Sequence, residues 1–415
     1  MSPMGFVTSG VLDAHCSVEI NGFGPVPLPV VDIVAQQLIP FMEQAPFGHK
    51  DKTVIDTTVR KTWQLDGKSI AFSKAFEDAL EDTVVRKIAP FFGIPSDMIA
   101  FKPHKFLLYD QGAHFTAHRD SEKEPLMFGS LVVELPSVYE GGSLNVEHGD
   151  KSLSFSFGDG VAAHYTAFFA DCIHDFKPIT SGYRAAMTYN LVLKNQPETP
   201  QPLMTLSSEE AAQSNQLTKA IAEWRDNTNV PNRLAVLLAH EYTKQSFSST
   251  TLKGEDRVVL ERLRRATPPG VALFASLIVR KAYNYNSCIE SDEVFFKPIN
   301  HFVPYGTDEE KASLEVTTRI HSSEYMPSLK AATDLDDATK ASLAKGRQGR
   351  FFEPADSTLE YAIADDELIG ITRMNELGPS ASIRFIEHTG NESQAAEQIY
   401  YIGAILLVKG PNARQ

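Results

Sequence analysis

The chain has 415 residues, of which 42% are hydrophobic and 22% charged, a composition that excludes a disordered or fibrous chain and leaves room for one large domain or two to three ordinary ones. With 39 basic against 53 acidic residues the net charge is −14, so nucleic acid is not an expected partner, because phosphate binding needs a basic surface. The three cysteines are too few and too scattered for a disulfide framework or a cysteine zinc site, the start lacks the pattern of a signal peptide, and no apolar stretch reaches spanning length; the expectation is a cytoplasmic chain without a membrane partner.

In chain order, strand-forming runs at 17–20 and 54–65 flank Gly/Pro-punctuated irregular sequence at 21–29. From 72 to about 92, apolar residues recur every three or four positions, with acids early and Lys/Arg late, which predicts an amphipathic helix that Pro90 and Gly93 end. From 99 to 193 the period changes to short strand-like runs, FLLY, FGSLVVEL, GGSLNVEH, KSLSFSF, VAAHYTAFFA and RAAMTYNLVL, separated by turn residues at the spacing of an all-β sandwich or barrel. The polar run NQPETPQP within 194–205 reads as a linker. Beyond it, Ser207-Ser208-Glu209-Glu210 has capping-box spacing ahead of one helix, GEDRVVLERLRRA predicts another, and VALFASLIVRKAY, SLEVTTRI, SIRFIEH and QIYYIGAILLV read as strands. The expected organisation is α+β: N-terminal strands and a supporting helix over 1–95, an all-β core over 96–195, and an α+β region over 206–415 that covers the substrate.

The chemistry concentrates in His118-Arg119-Asp120, followed by His174 54 residues after Asp120 and Arg184 ten residues further on. Two histidines and one carboxylate on one side of a metal, with the other side open, form the facial triad of non-haem iron(II) sites. One intervening residue puts His118 and Asp120 on the same face of a strand end. The short motif alone decides nothing, since twelve histidines supply three His-x-Asp copies. His49-Lys50-Asp51 has His104 at a comparable interval but a histidine where the basic residue should follow, and the histidines after His148-Gly149-Asp150 come too soon. The copy at 118 has a strand-like run on each side and a basic residue behind its distal histidine.

The stretch 106–193 resembles the Fe(II)- and 2-oxoglutarate-dependent dioxygenase superfamily, in particular its prolyl 4-hydroxylase-like branch, through LLYDQGAHFTAHRD, LVVELPSVYEGGSL and CIHDFKPITSGYRAAMTYNLVL. The long second half is similar to C-terminal extensions of fungal and plant members through NRLAVLLAHEYT, LKGED and EHTGNE. The resemblance implies a double-stranded β-helix, a jelly roll, in which His118, Asp120 and His174 bind Fe(II), Arg184 holds the distal carboxylate of 2-oxoglutarate, and Tyr109 hydrogen-bonds this cosubstrate. Thr188, four residues after Arg184 on the same face, would add a hydroxyl contact. Arg119, between the two ligands, and His114 are candidates to meet the substrate. Departures from the branch, an arginine at 184 where lysine is common and Phe115 where tyrosine is common, leave the chemistry intact and loosen the link to its substrate.

The resemblance implies an oxygenase that uses O2 and 2-oxoglutarate, releases succinate and CO2, and hydroxylates an unactivated C–H bond, or desaturates or closes a ring. A small molecule such as an amino acid or a secondary metabolite is the expected substrate. The competing readings are a hydroxylase of prolyl residues in a protein or peptide, and a degenerate jelly roll that serves as a binding or scaffold protein. Nothing in the sequence fixes the oligomeric state.

Overall fold

The first half forms two facing antiparallel sheets, and the central strands of the larger one, Met127–Glu134, Ala163–Phe169 and Arg184–Leu193, are buried on both faces. The computed structural model describes residues 5–49, 52–120, 122–195, 208–242, 247, 251–284, 315–326, 330–331, 361–362, 368–369, 382–386 and 395–409. These cluster into two units, Met1–Pro197 and Glu198–Gln415. Most of the linker expected over 194–205, and Ser207 of the capping box, lie outside the described residues.

In the first unit, the larger sheet runs Val7–Leu12, Ala163–Phe169, Met127–Glu134, Arg184–Leu193, Ile99–Tyr109, Trp63–Asp66, Glu43–Gln44. The smaller sheet runs Lys151–Phe155, Leu144–His148, Ile173–Phe176, His114–His118, Arg60–Lys61. From Ile99 to Leu193, apart from the hairpin Leu144–His148/Lys151–Phe155, the chain crosses from one sheet to the other; Leu107, Val146, Phe168 and Phe176 lie between the inner faces, while Phe106, Leu131 and Leu191 on the outer face of the larger sheet belong to the same core as Phe76 and Phe92. This is the jelly-roll arrangement expected for the middle of the chain. Its sheets also recruit strands from before residue 96, among them Val7–Leu12, which pairs with Ala163–Phe169 from Val7 opposite Phe168 to Leu12 opposite Ala163. The run at 54–65 is broken by a turn at 57–59, so that Arg60–Lys61 joins the smaller sheet and Trp63–Asp66 the larger.

The helix expected over 72–92 begins at Lys74, since Phe72 still belongs to a strand, and consists of α-helix Lys74–Thr83, a π turn Val84–Ile88 and α-helix Ala89–Phe92. Its buried residues Phe76, Leu80, Val84, Ile88 and Phe92 recur every fourth position. At about 3.6 residues per turn such a series would drift by about 40° per step. The wider π turn, bonded i to i+5, takes up that drift and keeps all five side chains on the core. It also accommodates Pro90, whose ring would clash with the carbonyl four residues back in a regular helix. Pro90 therefore lies inside the helix, and Gly93 alone ends it: φ is 63°, and Ile94 N–H bonds the Ala89 carbonyl at 2.9 Å while Gly93 N–H bonds that of Pro90 at 3.0 Å.

The second unit is described by a mixed sheet in the order Lys330–Ala331, Glu315–Met326, Val271–Asn284, Ala395–Lys409, Arg233–Leu237, Leu368–Ile369, the last pair parallel. Helices Ser208–Asp226 and Gly254–Ala266 pack through Ile221, Leu260 and Leu263 against Leu273, Ile405 and Leu407. The buried Asp256 accepts from the backbone N–H groups of Ala239 and His240 and from the Tyr242 hydroxyl, tying the start of the second helix to the segment after Arg233–Leu237.

One glycine bears directly on the placement of Arg184. Gly182 has φ +73°, and a Cβ there would lie 2.2 Å from the Val138 carbonyl oxygen. Gly182→Ala is expected to cost at least roughly 1–3 kcal/mol of stability; a lower urea midpoint checks this, and an unchanged one would show that the loop can relax.

Candidate functional site

The register of two neighbouring strands brings the expected metal ligands together. His118 ends its strand directly opposite His174, and Phe115 lies opposite Phe176, with an irregularity between these pairs. Asp120 follows just past the strand end, held there by its N–H on the Ala170 carbonyl at 3.1 Å. The ligand atoms of His118, Asp120 and His174 all lie within 4.8 Å of one another, and His174 Nε2 stands 3.8 Å from Asp120 Oδ2. Two atoms on the same side of one ion, each roughly 2.1 Å from it, stand about 3 Å apart, so the side chains would draw together by up to about 2 Å to close the triad.

Each imidazole is pre-oriented. His118 Nδ1 faces the Thr116 carbonyl at 2.8 Å and His174 Nδ1 the Cys172 carbonyl at 3.2 Å, so each Nδ1 serves as the N–H donor and Nε2 is left bare for a metal. Burial, and then the neighbouring His174, pull His118 down to about 3, against the opposing effect of Asp120. Burial pushes the Asp120 carboxyl up, but the two imidazoles and the Ser130 hydroxyl outweigh it and hold the group below its usual range. Ser130 Oγ donates to Asp120 Oδ2 at 2.5 Å and so fixes the carboxylate from the neighbouring sheet. The site therefore offers two imidazole Nε2 atoms and a carboxylate held below its usual range, the donor set that suits Fe(II).

Arg184 begins its strand and is 3% exposed. Its Nε donates to Glu134 Oε2 at 2.7 Å, while the Tyr139 hydroxyl donates to Glu134 Oε1 at 2.6 Å. Burial acts to lower the Arg184 pKa, yet the Glu134 carboxylate more than reverses this and keeps the guanidinium charged. The guanidinium carbon lies 4.3 Å from the Phe176 ring centre and 5.1 Å from that of Tyr109. Among the described residues, the Nη atoms of Arg184 and the hydroxyl of Tyr109 have no hydrogen-bond partner. Together they provide donors for a carboxylate, which fits 2-oxoglutarate.

The other expected contacts lie elsewhere. The Thr188 hydroxyl is taken up by the Lys105 backbone, accepting from its N–H at 3.2 Å and donating to its carbonyl at 3.0 Å. The His114 ring spans the carbonyls of Gly112 and Thr58, each at 3.0 Å. Arg119 Nε donates to the Asp171 carbonyl at 2.9 Å. Sequence reading missed Ser130, Glu134 and Tyr139. The signal for Glu134 was present: a lone carboxylate in the apolar run LVVEL calls for a buried cation.

The chain matches no family model. A PKHD-type hydroxylase of Sphingopyxis alaskensis is 32% identical over 90 residues, which make up 20% of this chain and 40% of that protein. The match thus spans about two-fifths of the relative's own length. Similar solved structures are a 2OG-Fe(II) oxygenase family oxidoreductase from Burkholderia pseudomallei (14% identity, 36% of this chain and 72% of that one, TM-score 0.26) and a Pseudomonas putida prolyl-4-hydroxylase (19%, 33% and 75%, TM-score 0.25). A third is a prolyl hydroxylase from Trichoplax adhaerens in complex with a hypoxia-inducible-factor peptide (15%, 44% and 85%, TM-score 0.28).

Two outcomes follow from the triad. Ser130→Ala removes the bond that orients Asp120 and should weaken Fe(II) or Mn(II) binding by about 10–100-fold, read by metal titration of the folded protein. An unfolded histidine titrates near about 6.5, whereas the metal-free folded chain keeps His118 neutral down to about 3. Between those values the unfolded chain binds more protons, so stability should fall as pH drops through that window. Urea midpoints at pH 7 and pH 5 should separate more for wild type than for His118→Gln; equal separation would refute this.

Proposed function

We propose that the first unit is an Fe(II)- and 2-oxoglutarate-dependent oxygenase that hydroxylates an unactivated C–H bond of a small molecule. The observation that carries this reading is the coincidence, inside one barrel, of the pre-oriented His118–Asp120–His174 group with the unbonded Nη donors of Arg184. His118, Asp120 and His174 would hold the iron on one side and leave the opposite side open. Iron(II) with 2-oxoglutarate supplies the activation of O2: one oxygen atom enters succinate as CO2 leaves, and the other enters the C–H bond of the substrate.

The chain's own residues do the positioning. Arg184 binds the distal carboxylate through its Nη atoms while Glu134 and Tyr139 keep its fork from turning. Tyr109 donates its hydroxyl to the same cosubstrate. Phe176 and Tyr109, both buried, wall the anchor off from water and strengthen its charge interactions. The small-molecule preference rests on the chain's acidic balance, which disfavours a polyanionic partner, and on the depth at which Arg184 and His174 lie.

Succinate formation from Fe(II), 2-oxoglutarate and O2 tests the reading. Wild type should produce succinate and His174→Ala should not. Replacing Arg184 alone would leave Glu134 buried without its counter-charge, so Arg184→Gln is made together with Glu134→Gln. Loss of the charge-assisted bonds should raise the KM for 2-oxoglutarate about 10–100-fold. Wild type that neither binds iron nor forms succinate would overturn the proposal and favour a binding or scaffold protein.

A further inference from the structure

A second arginine enters the same barrel without a counter-charge. Arg60 lies opposite Phe115, and its guanidinium carbon sits 4.6 Å from the centre of the Phe115 ring. That ring in turn stacks on His118 with centroids 3.5 Å apart. The guanidinium is thus separated from a metal ligand by one aromatic ring. Two residues along, Thr62 is 1% exposed, and continuing the register of Leu108 opposite Trp63 by one step brings Thr62 opposite Tyr109.

The hydrogen bonding of this corner is incomplete. Arg60 Nη1 donates to the Pro46 carbonyl at 2.8 Å, which leaves the Nε and Nη2 edge. Arg60 Nε is a buried donor with no partner, and Thr62 Oγ1 is likewise buried and unpartnered. No carboxylate lies within 4.0 Å of Arg60 among the described residues. Burial pulls the Arg60 pKa below its usual value, with Tyr109 and Asp120 acting the other way across the barrel. A half-buried guanidinium whose buried Nε has no partner is costly in isolation, and its Nε–Nη2 edge matches a carboxylate in both charge and geometry. Arg184, by contrast, already has Glu134.

We propose that Arg60 and Thr62 form a second anion subsite that holds the carboxylate of the substrate itself, so that the substrate class is a small carboxylic acid such as a free amino or hydroxy acid. This deepens the oxygenase reading of the same barrel. It gives the chain two carboxylate anchors with separate duties, Arg184 for the cosubstrate and Arg60 for the substrate. Arg119, whose Nε is held by the Asp171 carbonyl, is not required for this task. The two distances that meet at the Phe115 ring set the span between the carboxylate and the metal group, and that span suits a short acid whose reacting carbon lies a few bonds from its charge.

The test uses the full chain, first without metal. A panel of α-amino, α-hydroxy and simple aliphatic acids is compared with the matching carboxamides, with binding followed by tryptophan fluorescence; Trp63 adjoins Thr62 and is one of two tryptophans in the chain. At least one acid should bind saturably, with its amide at least tenfold weaker. Arg60→Gln should abolish the acid preference, Arg60→Lys should keep part of it, and Thr62→Val should weaken it several-fold, all with thermal unfolding near that of wild type. Equal binding of acids and amides, no saturable binding in either series, or an acid preference that survives Arg60→Gln would overturn the proposal. So would a loss of 2-oxoglutarate affinity in Arg60→Gln with the acid panel unchanged. Repeating the panel with Fe(II) and 2-oxoglutarate separates the two ideas: acid selectivity through Arg60 without any succinate would sink the oxygenase reading and leave the anion subsite standing.

Discussion

The pairing of His118 with His174 across two antiparallel strands is the constraint on which the rest of the site depends. A slip of one residue would turn one imidazole to the other face of the sheet, because side chains alternate strictly along a strand. The register is held by the apolar neighbours on the same faces. Phe115 faces Phe176 in the same strand pair, and Val146 lies opposite His174 on the next strand. Packing of the core and assembly of a polar group are therefore one event. The carboxylate joins from just beyond the strand end, where the Ala170 carbonyl and the Ser130 hydroxyl fix its place.

Charge in this barrel is handled in three ways. The triad holds one carboxylate beside two imidazoles, of which burial keeps His118 neutral, a combination that invites a cation. Arg184 and Glu134 form a buried pair with a third member, Tyr139, so that the guanidinium is both charged and immobile. Arg60 has an aromatic face and one carbonyl. An arrangement made only for stability would gain little from any of these, since a buried ion pair is often replaceable by apolar packing without loss.

The motif-bearing part of this design is legible in the sequence. His118, Asp120, His174 and Arg184 stand out by residue type and interval, and the strand runs from 99 to 193 by their period. The residues that support them do not. Ser130 reaches Asp120 because the chain crosses between the two sheets, and Arg60 reaches Phe115 through a pairing between strands distant in the chain, and a sequence displays neither. Phe72 to Phe92 shows the same boundary on a smaller scale: the apolar spacing announces a helix, while the wide turn inside it follows from a strict four-residue repeat and a proline that the helix must absorb. Thr188 illustrates the opposite error. Its place on the strand predicts the correct face, but a nearer backbone partner claims its hydroxyl.

Both ring nitrogens that steer the triad are tethered to main-chain oxygens, those of Thr116 and Cys172. Every amino acid brings the same oxygen to those places. The tautomer of each histidine is consequently insulated from whatever side chain occupies positions 116 and 172, so mutational drift can rewrite the flanks of the motif without disturbing its protonation state. A centre built this way would leave a short signature in its descendants: a few isolated letters, embedded in sequence that has been free to wander.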